Sequence, residues 1–387
     1  MKYKIKDIAF VSAGQSAPQG ERMYSEDGTP FVKAGNLEDL SINNNLELYC
    51  QKVPQTTVEI CKLKLYPKNS ILFAKSGMSC MKGYVVEILE PAYVVSHLAI
   101  ISPKEDVCNS KYLKFYYTFN KPQKLIKDVA YPSISLADIQ EETIDLPPLD
   151  KQQEIVSILD KINNVIEADK KQLELLDEAI KSRFLEIFGD PESNPLNFEK
   201  VKFAELGELA RGKSKHRPRN DAALLGGPYP LIQTGDVTSS QLYIRNYSST
   251  YSELGLKQSK MWSKGTLCIT IAANIADSAI LTFDSCFPDS VVGFIPNEDV
   301  NVLFVKYQLD LLKEYFDSKA TAVAQKNLNL EKLSSALFIK PLLKQQNEFA
   351  SFVEHTYKMK IHIQQHLNLM QELLTKKMRD FYGGVDE

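Results

Sequence analysis

A chain of 387 residues is longer than one compact core usually holds, and 44% hydrophobic with 25% charged residues excludes a disordered polypeptide. A formal net charge of −3 excludes nucleic-acid binding by bulk electrostatics, so any such role must rest on local positive charge or on a partner. No stretch approaches the roughly 18 apolar residues of a membrane span and MKYKIKDIAF lacks an apolar leader, so no membrane association and a cytoplasmic location are expected.

In chain order, residues 1–149 carry β-rich runs such as SILFAK and GYVVEIL beside the helix-like KYLKFYYTF, a mixed α/β segment. Pro147 and Pro148 stop it. The next run, 150–188, places Ile155, Ile158, Ile162, Val165, Asp169, Leu173, Leu176, Ile180, Phe184 and Ile187 three or four residues apart, one stripe of a long helix ending at Phe188-Gly189. GDPESNPLNFEK, residues 189–200, reads as a linker broken by two prolines and opens a second mixed segment, 189–340, with LCITIA, VVGFIP and the helix-like VLFVKYQLDLLKEYF. After Pro341 the helix is written again over 341–387: Phe349, Phe352, Thr356, Met359, Ile363, Leu367, Met370, Leu374, Met378 and Phe381 each follow their counterpart by 194 residues. Both helices open on the triplet Lys-Gln-Gln. A helix of some 35 residues spans about 50 Å, too long for one ordinary core, so pairing of the two as a coiled coil is expected.

The repetition continues outside the helices. AYPSISL (Ala130 to Leu136) precedes AQKNLNL (Ala324 to Leu330) by the same 194, and TPFVKAGNL (Thr29 to Leu37) answers YPLIQTGDV (Tyr229 to Val237). The fold class is therefore α+β with an internal repeat: globular, helix, globular, helix.

Candidate contact residues fall in the loops. RGKSKHRPR, Arg211 to Arg219, sets five Arg/Lys and a His in nine residues without an acid, and Lys213, Lys215, Arg217 and Arg219 suit phosphates or a groove. Lys33 and Asn36, with Gln233, Thr234 and Asp236, surround a glycine at a strand's end, where Gln and Asn can bond adenine and Lys guanine; ordinary turns use the same residues. Similar candidates are Lys75, Ser76 and Ser79 in AKSGMS, Ser133 and Ser135 in YPSIS, Asn274 in AAN, and Gln325, Lys326 and Asn327 in AQKNLN. Asp169 interrupts the apolar stripe and, in an antiparallel pair, lies opposite Leu367 and close to His366, which suggests a polar register device. Six cysteines without a C-x-x-C pair read as reduced core thiols, and no metal or cofactor is expected.

The order of these pieces, with LPPLDKQQEIVSIL entering the first helix and YPLIQTGDV and ILFAKSG in the globular parts, resembles the specificity subunit of type I restriction-modification systems along essentially the whole chain. The resemblance implies two target-recognition domains separated by two long antiparallel helices, related by a pseudo-two-fold axis. It implies a non-catalytic subunit reading a bipartite target on double-stranded DNA, two short half-sites with an unspecified spacer. The implied partners are two adenine-N6 methyltransferase subunits and endonuclease/translocase subunits. Consistently, Leu146-Pro147-Pro148-Leu149 lacks both ends of a [DN]-P-P-[YF] base clamp, and neither a P-loop for ATP nor a metalloprotease or nuclease motif is expected. The alternative is a coiled-coil assembly scaffold without DNA readout, for which the acidic balance speaks.

Overall fold

The computed structural model of the chain describes residues 1–216, 218, 221–271, 276–319 and 329–383. The chain divides into two units, Met1–Lys170 with Gln365–Glu387, and Lys171–Gln364.

In the first unit the apolar run Ile71–Ala74 is buried at every residue, as a strand covered on both faces must be. It lies in an antiparallel sheet of order Ala9–Ala13, Leu98–Pro103, Ile71–Ala74, Val85–Glu87. Strand alternation then divides its side chains between two cores. Ile71 and Phe73 join Tyr112, Leu113 and Tyr117 of the helix Ser110–Asn120, whereas Leu72 and Ala74 face the core shared with Phe31, Val32 and Tyr93. That second core carries a smaller sheet, Gln51–Val53, Thr29–Val32 and Tyr93–Val94, and Lys2–Lys4 pairs with Thr143–Asp145.

The second unit repeats the plan. Leu267–Thr270 lies between Val291–Pro296 and Ser278–Leu281 in a sheet edged by Gly207–Arg211 and Tyr243–Ile244. Leu267 and Ile269 face Phe304 and Val305 of the helix Val302–Lys319, and Cys268 faces the core of Trp262 and Phe287. Leu225–Leu231 centres a second sheet, and Lys200–Lys202 pairs with Leu337–Ile339.

The long helices are Leu149–Phe188 and Leu343–Tyr382, each of 40 residues. Each unit holds the start of one and the end of the other. In the second unit their contacts step in opposite chain directions: Asp177 to Lys360 at 2.5 Å, then Arg183 to Glu348 at 2.7 Å, with Phe184 against Phe349. In the first unit His366 Nδ1 meets Asp169 Oδ2 at 2.7 Å, while Ile155 and Leu159 share a core with Met378 and Tyr382.

The burial corrects the expected stripe at matched places. Leu159 and Val353 are fully buried where Ile158 and Phe352 were expected to lead. Ile166 and Lys360 are buried, and Val165 and Met359 exposed. Both slips recur 194 residues apart: a 3.6-residue turn lets the inward face step four then three, and an apolar neighbour disguises which comes first at every place but Lys360, whose buried stem carries its ammonium to Asp177.

The Lys-Gln-Gln triplet proves to be a fastening. Gln152 is fully buried; its Nε2 donates to the carbonyls of Pro147 (2.8 Å) and Val107 (3.0 Å), and its Oε1 accepts the Asn109 N–H (2.8 Å). Gln346, also fully buried, does the same to Pro341 (2.8 Å), Asp299 (3.3 Å) and the Asn301 N–H (2.8 Å). One side chain thereby satisfies a helix entry that proline has left without donors and ties it to the helix at the sheet's back. At the far ends Tyr382 donates to the Tyr112 carbonyl at 3.1 Å, and Phe188 packs on Phe304 with ring centroids 4.9 Å apart. Gly189 then closes the first helix in the left-handed region, φ 69°, its N–H on the Leu185 carbonyl at 2.8 Å.

Candidate nucleic-acid interface

The two glycine turns at the strand ends are built alike. Asn36 Oδ1 accepts the Lys33 N–H at 2.8 Å and its Nδ2 donates to the Tyr49 carbonyl at 2.6 Å; Asp236 Oδ2 accepts the Gln233 N–H at 2.8 Å and the Ser248 hydroxyl at 3.3 Å. Asn36 and Asp236 are thus engaged as turn side chains. Lys33 Nζ rests on Gln51 Oε1 (2.6 Å) and over the Tyr24 ring, Gln233 is exposed and Thr234 half-buried.

Lys75 and Ser76 meet the segment that carries Ser133 and Ser135, and Ser79 lies in the short turn Met78–Met81 that follows. Ser76 and Ser133 form an isolated antiparallel bridge, flanked by Gly77 N–H to Pro132 carbonyl (3.1 Å) and Ile134 N–H to Lys75 carbonyl (2.8 Å). Ser76 Oγ lies 2.9 Å from His97 Nδ1. Ser135 caps the helix Leu136–Glu141 by accepting the Asp138 N–H, and Asn329, 194 residues later, caps Leu330–Ser335 through the Lys332 N–H. Beside this loop pair the Lys82 ammonium holds the Glu38 carboxyl below the ordinary carboxylate range.

In the basic loop the backbone is tied down, and the His216 ring Nε2 lies 3.1 Å from Asp221 Oδ2. The Lys215 and His216 N–H groups donate to Gln258 Oε1 at 2.6 and 3.1 Å, and the Lys213 N–H donates to the Phe287 carbonyl at 3.1 Å, leaving Lys213 and Lys215 at the surface. Arg217, Arg219, Asn274, Gln325, Lys326 and Asn327 lie outside the described residues. The expectation of no P-loop overlooked that Gly207 to Ser214 spells G-x-x-x-x-G-K-S. Structure removes the resemblance: Gly207–Arg211 is a sheet strand paired with Val291–Pro296, not a loop opening a helix, and a Cβ on Gly212 would strike the Phe287 carbonyl.

The six cysteines are all free thiols, and burial pushes those of Cys50 and Cys108 up to about 12. Among the described residues no cluster of three His, Cys, Asp or Glu could hold a metal ion, and no helix is long and apolar enough to cross a membrane. Sequence reasoning missed the exposed apolar side chains beside Ser76 and Ser133, namely Met78, Val129 and Tyr131. The alternation Tyr131 out, Pro132 in, Ser133 out, Ile134 in was the available signal.

Fold and loops together define a class: a duplicated α/β module, each copy fastened by a buried glutamine to a long helix and presenting polar loop side chains at its surface. The model of the type I restriction modification DNA specificity domain matches twice, over residues 1–178 and 195–372, and the chain belongs to that family. It is 24% identical over 373 residues to a putative type I restriction enzyme MjaX specificity subunit of Methanocaldococcus jannaschii, covering 90% of this chain and 84% of the relative. To a putative type I specificity subunit of Mycoplasma pneumoniae it is 22% identical over 361 residues, 92% and 88% of the two. Among solved structures, the S subunit of the type I restriction-modification system from M. genitalium shares the fold at TM-score 0.57 and 12% identity, covering 99% of this chain and 96% of the other. A chain from a structure concerned with assembly and conformational transition of the type I R-M system does so at 0.56 and 14%, covering 100% and 98%.

Proposed function

We propose that the chain is the non-catalytic DNA-specificity subunit of a type I restriction-modification complex, reading two short half-sites across an unspecified spacer. It docks two adenine-N6 methyltransferase subunits and, in the full assembly, endonuclease/translocase subunits. What carries the reading is the repeat of fastening and reading parts: Gln152 and Gln346 make the same three kinds of bond, one to the proline carbonyl five residues back and two to backbone groups at the entry of the preceding helix, on helices of equal length. Two like modules joined by a pair of equal, oppositely directed helices in a coiled coil have a pseudo-two-fold relation. Such a relation matches the two-fold axis of duplex DNA and sets half-sites on opposite strands. The modules differ where they would touch bases: the basic run of 211–219 answers the nearly uncharged Ala13 to Arg22, so the two half-sites differ. The target-recognition domains are 1–149 and 189–340.

The test is to co-express the chain with its methyltransferase subunit and map methylated adenines across the host genome. Paired adenines on opposite strands, in two motifs at a constant separation, are expected. A single contiguous motif would refute the bipartite reading. The net charge of −3 favours the rival scaffold without DNA readout; a gel shift at fixed salt separates the two, because a scaffold leaves the mixture unable to retain DNA selectively.

A further inference from the structure

Three large apolar side chains stand out of the first unit within one pair of loops: Tyr131 is 81% exposed, Met78 73% and Val129 70%. The loops do not drift. They are clamped by the Ser76–Ser133 bridge, by the Gly77–Pro132 and Ile134–Lys75 backbone bonds and by Gln123 Nε2 donating to the Met81 carbonyl at 3.4 Å, while Pro132 and Ile134 are buried beneath. Three such side chains gathered on one clamped loop pair, rather than scattered singly as Ile60 is, mark a contact surface.

The surroundings select the kind of partner. Residues 75–82 and 121–131 contain Lys75, Lys82, Lys121, Lys124 and Lys127 against one acid, Asp128, whose carboxylate is engaged with the Ala130 N–H. Lys82 and Lys127 pair with Glu38 and Asp138 as exposed ion pairs, which are weak enough to give way to phosphates; Lys124 is held by Glu142. Ser76 and Ser133, whose bridge joins the two loops, add hydroxyls to the same loop pair. A flat protein partner calls for a continuous apolar core with charge kept to the rim. Apolar tips interspersed with lysines and hydroxyls fit a duplex, where the tip enters between bases and the surround meets phosphate.

We propose that Tyr131 and Met78, flanked by Val129, form an apolar wedge that the first unit presses against the bases of its half-site, deepening the DNA-reading function proposed above and resting on it. Phosphate contacts from the neighbouring lysines set its depth. At the equivalent place 194 residues on, the sequence has Gln325 for Tyr131 and Asn327 for Ser133, so the apolar tip is a property of the first unit's sequence alone.

The test uses the full chain assembled with its methyltransferase subunit and a fluorescent duplex carrying the sequence that the wild-type assembly methylates. Tyr131→Ala and Met78→Ala are each expected to weaken retention about tenfold, in keeping with loss of one stacked or apolar base contact, with the dependence on salt unchanged because no phosphate contact is removed. Tyr131→Phe retains binding, and Ile60→Ser, an exposed apolar residue elsewhere in the unit, serves as the unaffected control. Unchanged retention in both alanine variants overturns the wedge, as does loss of co-elution with the methyltransferase, which assigns the patch to a protein. If the wild-type assembly shows no sequence selectivity, it is the DNA-reading function that fails, and the wedge falls with it.

Discussion

Replacing Gln152 by alanine tests whether the helix entry is held by hydrogen bonds or merely by packing. The side chain makes three bonds, two donated to the Pro147 and Val107 carbonyls and one accepted from Asn109, all within 3.0 Å and with the residue fully buried. Each such bond contributes about 1 kcal/mol net, and groups left without a partner add their own desolvation cost, so Gln152→Ala is expected to lose about 2–4 kcal/mol. Gln152→Met separates the causes, since it fills most of the volume and makes none of the bonds; it should lose nearly as much. Gln346→Ala should behave alike in the second unit, where its bond to Asp299 is longer at 3.3 Å and the loss therefore slightly smaller. Urea unfolding followed by circular dichroism measures both, and fluorescence of Trp262, the lone tryptophan, follows the second unit. A Gln152→Met variant as stable as the wild type would refute the reasoning.

Asp169 is 6% exposed and bonded to His366, so a double-mutant cycle of Asp169→Asn and His366→Asn should give a coupling of about 0.5–1 kcal/mol in urea unfolding; strict additivity would remove the register role. Glu141 lies between the Lys4 and Lys6 ammoniums, whose hydrogen bonds hold its carboxyl at about 2 against an ordinary 4.5. Because the folded value is the lower one, its stabilisation is present above 4.5 and is lost as pH falls through 2, and Glu141→Gln should flatten the melting-temperature profile between pH 5 and 2. Iodoacetamide at pH 8 followed by mass spectrometry should mark half-buried Cys61 first and leave buried Cys50 and Cys108 unmodified until denaturant is added; early labelling of Cys108 would contradict its burial.

The long helices and the strands Ile71–Ala74, Leu267–Thr270 and Val291–Pro296 were legible because period and proline stops are local properties of the letters. Which of two adjacent apolar residues faces inward was not, as Ile158 against Leu159 and Val165 against Ile166 illustrate, since a choice between neighbours is decided by the partner surface. The repeated Gln-Gln was visible, but its purpose was not. A glutamine is polar, and its burial follows only once the Val107 and Asn109 backbone groups are seen waiting for it. At the loops, Ser76 and Ser133 were named separately, and their bridge needed a pairing across 57 residues that no local pattern encodes. The GELARGKS run shows the converse: a motif is letters until the strand-loop-helix context is present.

The bond from Tyr382 to Tyr112 spans 270 residues, which gives the first unit a timetable. At ribosomal speeds of about 5–20 residues per second, the aromatic cleft made by Tyr112, Tyr116 and Phe119 stands open for roughly 15–50 s after its own residues emerge. The first unit is therefore sealed later than the second, and a nascent polypeptide cut short before Tyr382 leaves a sticky aromatic hollow open to quality-control proteases.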